Sequence, residues 1–136
     1  MGADEVVLLA RLLLAALFLI FGSRKVLDFS GTVSQMTQLR VPTPGLAASV
    51  STFMEVVVAA AIAVGAFARP AALLMALYTL GTALIGHRYW SKKGAELIDS
   101  MDSFYKNLAI IGGFLLLYVT GAGRYSFDAL WSTSGR

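Results

Sequence analysis

Four ionisable side chains lie within or beside apolar stretches of the sequence and are the candidates for chemistry: Lys25, Glu55, His87 and Lys106. Glu55 interrupts residues 53–67, which read FMEVVVAAAIAVGAF and are otherwise apolar. A charge in a segment this apolar is costly unless it is paired or hydrated, and its presence is by default a functional hypothesis. Glu55 and His87 are therefore the predicted catalytic groups, because both side chains can accept and donate a proton.

Two lysines, one glutamate and one histidine form a set whose net charge is positive or close to neutral. Such a set would suit a small anion or the carbonyl oxygens of a quinone head group, and Glu55 or His87 would pass the proton that quinone reduction requires. Each residue also has a purely structural interpretation. Glu55 could be a buried partner of Lys25 that fixes helix register, and His87 could be an interfacial residue. The lysines could be anchors that extend to the membrane surface.

The sequence excludes several other kinds of site. It contains no cysteine, which rules out disulfides and thiolate metal sites, and one histidine, which rules out haem bound by two histidines of one chain. No pattern of nucleophile, base and orienting group is visible. Neither a metal nor a haem is therefore predicted, and redox chemistry would need a cofactor or partner protein from elsewhere.

The composition indicates a membrane protein. Of the 136 residues, 57% are hydrophobic and 14% are charged, and the mean hydropathy is +0.73, whereas about a quarter of the residues in a soluble domain are charged. The net charge of +3 fits residues that flank membrane spans rather than a nucleic-acid surface. The first apolar stretch follows an acidic segment, GADE, and lacks a small-residue cleavage site. We therefore expect a retained span rather than a signal peptide.

The hydrophobic pattern predicts an all-α fold, an antiparallel four-helix bundle that forms a single integral membrane domain over residues 1–136. The predicted spans are residues 4–27, 44–67, 71–86 and 104–120. Short interfacial helices are expected in the loops, since apolar residues recur at helical spacing after the first span. The loop side carries seven lysines and arginines and the terminal side carries four, which predicts cytoplasmic loops.

Each predicted span has one stripe rich in small residues at helical spacing, and each stripe carries an ionisable group. The stripes are Arg11, Ala15, Phe18, Gly22 and Lys25; Thr52, Glu55, Ala59, Ile62, Ala63 and Ala66; Ala72, Ala76, Thr79 and Ala83 with Gly86 or His87; and Lys106, Ala109, Gly113, Leu116 and Thr120. Small residues allow close helix contacts in a bilayer, so we expect the stripes to face one another. The four candidate residues would then meet toward one leaflet.

Five segments form an ordered set: ARLLLAALFLIFGSRKVLDF, LRVPTPG, FMEVVVA, GAFARPAALLMALYTLGTALIGH and FYKNLAIIGGFLLLYVTGAGRYSFD. Together they resemble the DoxX family of small bacterial membrane proteins over nearly the whole chain, although the family's usual G-P-G near the end is G-A-G here. The recurring polar positions of the family correspond to the residues that we predict to bind a ligand: Lys25, Glu55, His87, Lys106 and Asn107.

The resemblance implies a four-helix protein of the bacterial inner membrane. Some members of the family are linked to thiosulfate:quinone oxidoreduction, and others to membrane complexes that handle oxidative stress. Our first hypothesis is a quinone-linked oxidoreductase subunit in the lipid bilayer, which binds quinone or quinol at the polar residues and works with a redox partner protein. The alternatives are a non-enzymatic scaffold or assembly factor, and a carrier of a small anion or lipid-like molecule. A carrier with four spans would favour a homo-oligomer.

Overall fold

The chain is helical through most of its length. The computed structural model describes residues 2–134, and no strand occurs in this range. The α-helices are α1 (Ala3–Leu27), α2 (Phe29–Gln38), α3 (Pro44–Phe53), α4 (Ala59–Val64), α5 (Ala68–Gly86), α6 (Gly94–Thr120) and α7 (Phe127–Ser134). A π-helical turn, Met54–Val58, joins α3 to α4, and a 3-10 turn, Tyr89–Ser91, follows α5.

Within the described residues, four stretches are long and apolar enough to cross a membrane: Ala3–Leu27, Pro44–Val64, Ala68–Ser91 and Gly94–Thr120. This finding confirms the predicted all-α membrane bundle. α2 and the 3-10 turn are the short helices in its loops. The fourth helix begins at Gly94 rather than at residue 104, because the polar segment before the apolar stretch continues the same helix.

The spans pack in two main pairs. α1 lies against the second span, which consists of α3, the π turn and α4, and α5 packs mainly against α6. Phe18, Ile62 and Phe114 belong to the shared core, and each is at most 6% exposed. On the outer faces Leu13 is 65% exposed and Val119 is 69% exposed. Hydrocarbon chains of a bilayer would cover these outer faces.

The small-residue stripes predict the inward faces of the first three spans but not of the fourth. The buried residues of α1 are Arg11, Ala15, Phe18 and Gly22. The prediction for α6 is wrong, because Lys106 and Ala109 are exposed whereas Phe114 and Leu117 are buried. In α6 bulky side chains fill the space beside the other helices, and several of its small residues face outward.

The two ends of the bundle hold different turns. The terminal end contains the start of α1, the turn at residues 65–67 and the end of α6, and the opposite end is named the loop end.

At the terminal end Arg11 is 1% exposed. Its Nε and Nη2 donate to Ala63 O at 3.3 and 3.2 Å, Nη2 donates to Tyr125 O at 2.7 Å, and Nη1 donates to Ala122 O. Arg11 thereby ties α1 to two other parts of the chain.

Asp128 closes the turn between α4 and α5. Its carboxylate accepts the Phe67 N–H at 2.7 Å and the Ala68 N–H at 2.8 Å, and its own N–H donates to Gly65 O at 3.0 Å. Gly65 and Phe67 have positive φ values of 74° and 49°, which reverse the chain over a few residues. The carboxylate also interacts favourably with the dipole of α5. α7 is thus anchored to this turn.

We expect Arg11→Met to lower the free energy of unfolding by about 3 kcal/mol, because three carbonyls would lose their buried donor. Thermal melting in detergent, followed by tryptophan fluorescence, measures the change. Arg24→Met is the matched control, since Arg24 lies on the same helix and is exposed. Equal melting temperatures for the two variants would contradict this role of Arg11.

Candidate functional site

Glu55 lies near the middle of the second span, inside the π turn, and is 3% exposed. A π turn contains an extra residue relative to an α-helix and is frequent at functional sites. Gly22 of α1 lies against this turn, because a Cβ atom at Gly22 would be 2.9 Å from the carbonyl carbon of Glu55 and 2.7 Å from Val56 Cγ2. The missing side chain lets α1 approach closely enough for Lys25, one turn later, to reach the carboxylate.

Donors from three spans surround the Glu55 carboxylate. Lys25 Nζ of α1 is 2.8 Å from Oε1 and 2.7 Å from Oε2. Ser51 Oγ of α3 donates to Oε2 at 2.7 Å, and the Tyr78 hydroxyl of α5 donates to the same oxygen at 2.6 Å. Ser51 Oγ and the Tyr78 hydroxyl are also 2.6 Å apart. These four residues are named the Glu55 cluster.

The Glu55 cluster balances charge in an apolar interior. Among residues 2–134, Lys25–Glu55 is the single ion pair. An unpaired carboxylate at this depth would cost several kcal/mol, and the two hydroxyl groups add hydrogen bonds to the carboxylate beside its ion pair. In the described part of the chain no buried side-chain nitrogen or oxygen lacks a hydrogen-bond partner. Protein groups alone therefore give every buried polar atom of the cluster at least one partner.

The Glu55 cluster reaches an open cavity through Lys25. The side chain of Lys25 is 21% exposed, whereas that of Glu55 is 4% exposed. The cavity, about 510 Å³ in volume, lies between the end of α1 and α2, and its lining includes Phe21, Arg24, Lys25, Asp28, Thr32 and Gln35. This volume falls within the ~300–1,000 Å³ range of small-molecule sites. A ligand there would meet an aromatic ring, two cationic groups and several hydrogen-bonding groups.

The other three predicted site residues lie outside the Glu55 cluster. His87 follows the last residue of α5 and is nine residues after Tyr78, which corresponds to about 13 Å along a helix axis. Lys106 is exposed on α6 and Asn107 is half-buried. None of the three belongs to the groups that bond to Glu55. Their roles in binding stay predictions.

Two members of the Glu55 cluster are absent from the sequence prediction. Ser51 lies four residues before Glu55 and therefore on the same helix face, so spacing alone contains a signal for it. Tyr78 gives a weaker signal, because it lies beside the small-residue stripe of α5 rather than within it. Thr52 and Thr79, which belong to the predicted stripes, instead donate hydrogen bonds to backbone carbonyls of their own helices.

We expect Gly22→Ala to destabilise the protein by about 1–3 kcal/mol, because the added methyl group must push α1 away from the π turn. Gly112→Ala is the control, since a Cβ atom at Gly112 has no neighbour within 4 Å and alanine favours a helix more than glycine does. Melting of both variants in one detergent tests the expectation. If Gly22→Ala proved as stable as Gly112→Ala, the close approach would not be a requirement of the fold.

Comparisons with known proteins identify the relatives of this chain. The DoxX family pattern matches residues 6–88. The chain is 47% identical over 129 residues to the inner membrane protein YphA of Escherichia coli (strain K12), which covers 93% of this chain and 92% of YphA. It is 39% identical over 127 residues to the inner membrane protein YqjF of the same strain, with 93% and 92% covered. No solved structure matches. With four apolar spans among residues 2–134, this inner-membrane protein belongs to the DoxX family.

Proposed function

We propose that this protein is a subunit of a membrane redox system and binds a quinone or quinol beside the Glu55 cluster. The observation that carries the proposal is a buried carboxylate linked through Lys25 to an open cavity. Glu55 is 3% exposed and its hydrogen-bonded partner Lys25 is 21% exposed. Lys25 therefore contacts the carboxylate and also lines the cavity, and in this proposal its ammonium group lies between the two. An inner membrane also contains the lipid phase in which long-chain quinones dissolve.

The groups around the cavity fit a quinone head group. The Lys25 ammonium has three N–H donors, and Glu55 offers it two oxygens, so one donor is left for a carbonyl oxygen in the cavity. Phe21 provides an aromatic surface for the ring of the head group. Ile20 is 54% exposed on the outer face of α1, where an apolar tail would lie.

Reduction of a quinone to a quinol consumes two electrons and two protons. In this proposal a redox partner protein supplies the electrons. The Lys25 ammonium gives one proton to the quinone, and Glu55 passes a replacement proton from the aqueous side to Lys25. Ser51 and Tyr78 keep the carboxylate oriented and hydrogen-bonded after the proton has left. The second proton comes from the aqueous side, where His87 is the predicted donor.

One observation favours a second candidate function. All the polar groups of the Glu55 cluster already have partners inside the protein. A closed cluster of this kind can fix the register of three helices without any ligand. The protein would then be a scaffold or assembly factor, and the cavity beside Lys25 would have no role in binding.

We expect the protein, purified in native lipid, to retain quinone that mass spectrometry detects in an organic extract. Lys25→Met and Glu55→Gln should each reduce the quinone bound per protein by about tenfold or more, because each removes a charged group from the proposed binding and proton-transfer path. Lys93→Met is the matched control, since Lys93 is an exposed lysine at the loop end.

Removing one member of the ion pair destabilises the bundle, so folding is followed by circular dichroism and melting for every variant. The double variant Lys25→Met/Glu55→Gln removes both charges and leaves no unpaired ion. If it stays folded and loses the quinone, the redox proposal is supported. If the wild-type protein holds no quinone while the single variants lose stability, the Glu55 cluster only fixes the register of the three helices, and the scaffold function is favoured.

A further inference from the structure

We propose that the terminal end of the bundle carries a binding site for the phosphate group of an anionic phospholipid. The site is a cavity of about 560 Å³ between the α4–α5 turn, the loop at residues 120–124 and α7. It is named the terminal cavity. It lies at the opposite end of the bundle from the cavity beside Lys25, and it does not depend on the proposed quinone function.

Two exposed arginines, Arg69 and Arg124, line the terminal cavity. Neither forms an ion pair within the part of the chain that the structure describes. Arg69 lies directly against the loop after α6, because a Cβ atom at Gly121 would be 3.1 Å from its Nε and 3.3 Å from its Nη2. Gly121 has a φ of +74°, so glycine suits both the conformation and the contact. A guanidinium at this position can donate in pairs to phosphate oxygens.

The acidic side chain in the lining of the terminal cavity is already engaged. Asp128 accepts backbone N–H groups on both carboxylate oxygens, at 2.7 Å from Phe67 and 2.8 Å from Ala68. The nearby Asp4 accepts the backbone N–H of Arg124 at 3.0 Å rather than its side chain. The guanidinium of Arg124 lies over the Tyr125 ring, with Cζ 6.0 Å from the ring centre, a contact that uses its face and not its N–H donors. With two arginines and one engaged carboxylate in its lining, the terminal cavity is a cationic site.

The position of the terminal cavity favours a lipid over a soluble anion. The cavity lies where the second, third and fourth spans end, which is the level of the headgroups in a bilayer. Phe67 lines it and is 75% exposed, and on α7 Leu130 and Trp131 are 68% and 74% exposed. Apolar and aromatic side chains at this level would contact the acyl chains while the arginines hold the phosphate.

Native mass spectrometry of the full chain tests this site. The protein is released from detergent micelles that contain either phosphatidylglycerol, which is anionic, or phosphatidylethanolamine, which is zwitterionic. We expect the wild-type protein to retain one phosphatidylglycerol in preference to phosphatidylethanolamine. The double variant Arg69→Gln/Arg124→Gln should bind phosphatidylglycerol about tenfold more weakly, because it lacks both cations of the cavity.

The double variant Arg40→Gln/Arg88→Gln is the control, because it removes the same charge from exposed residues outside the terminal cavity. Equal retention of phosphatidylglycerol by the two double variants would overturn the proposal. A second titration adds inorganic phosphate to delipidated protein. If inorganic phosphate alone bound as tightly as the lipid, the site would be one for a soluble anion and the lipid assignment would fail. Circular dichroism of both variants confirms that the helices are intact.

Discussion

A carboxylate inside a membrane span must find positive charge and hydrogen-bond donors within the protein, and Glu55 imposes this requirement on three spans at once. α1 carries glycine at position 22, where it meets the π turn, so that Lys25 can come within bonding distance. Ser51 must lie one turn before the carboxylate, and Tyr78 must face inward from α5. The arrangement of three helices in the loop half of the bundle is thus set by the need to stabilise one negative charge.

The terminal half of the bundle holds a buried charge of the opposite sign by different means. The partners of Arg11 are backbone carbonyls near the ends of helices and in turns, where helical donors are lacking. Arg11 and Lys25 are 14 residues apart on one side of α1, which is about 21 Å along the axis. α1 therefore connects the two ends of the protein through two cations. Lys25 pairs with a side chain of the second span. Arg11 donates to backbone carbonyls near the end of α4 and in the loop after α6.

Much of this arrangement follows from the sequence, and the parts that do not have physical reasons. Hydrophobicity and helical spacing predict the membrane bundle and the inward face of α1. They fail for α6, where Phe114 packs against Phe18 with ring centres 5.6 Å apart, a contact that outweighs the preference for small residues. Tyr78 is not predicted either. Its contact with Glu55 depends on how the second span is rotated about its own axis, and the π turn changes that rotation. Periodicity arguments assume an unbroken α-helix.

The π turn makes the backbone of the second span part of the Glu55 cluster. An α-helix turns by about 100° per residue. Because the turn at Met54–Val58 holds one residue more than an α-helix would, it rotates α3 relative to α4 by up to about that angle compared with an unbroken α-helix of the same sequence. Without this rotation, either Ser51 or the core residue Ile62 would leave the interior. The hydrogen-bond pattern of five backbone residues therefore decides which side chains on either side of the turn can be buried together.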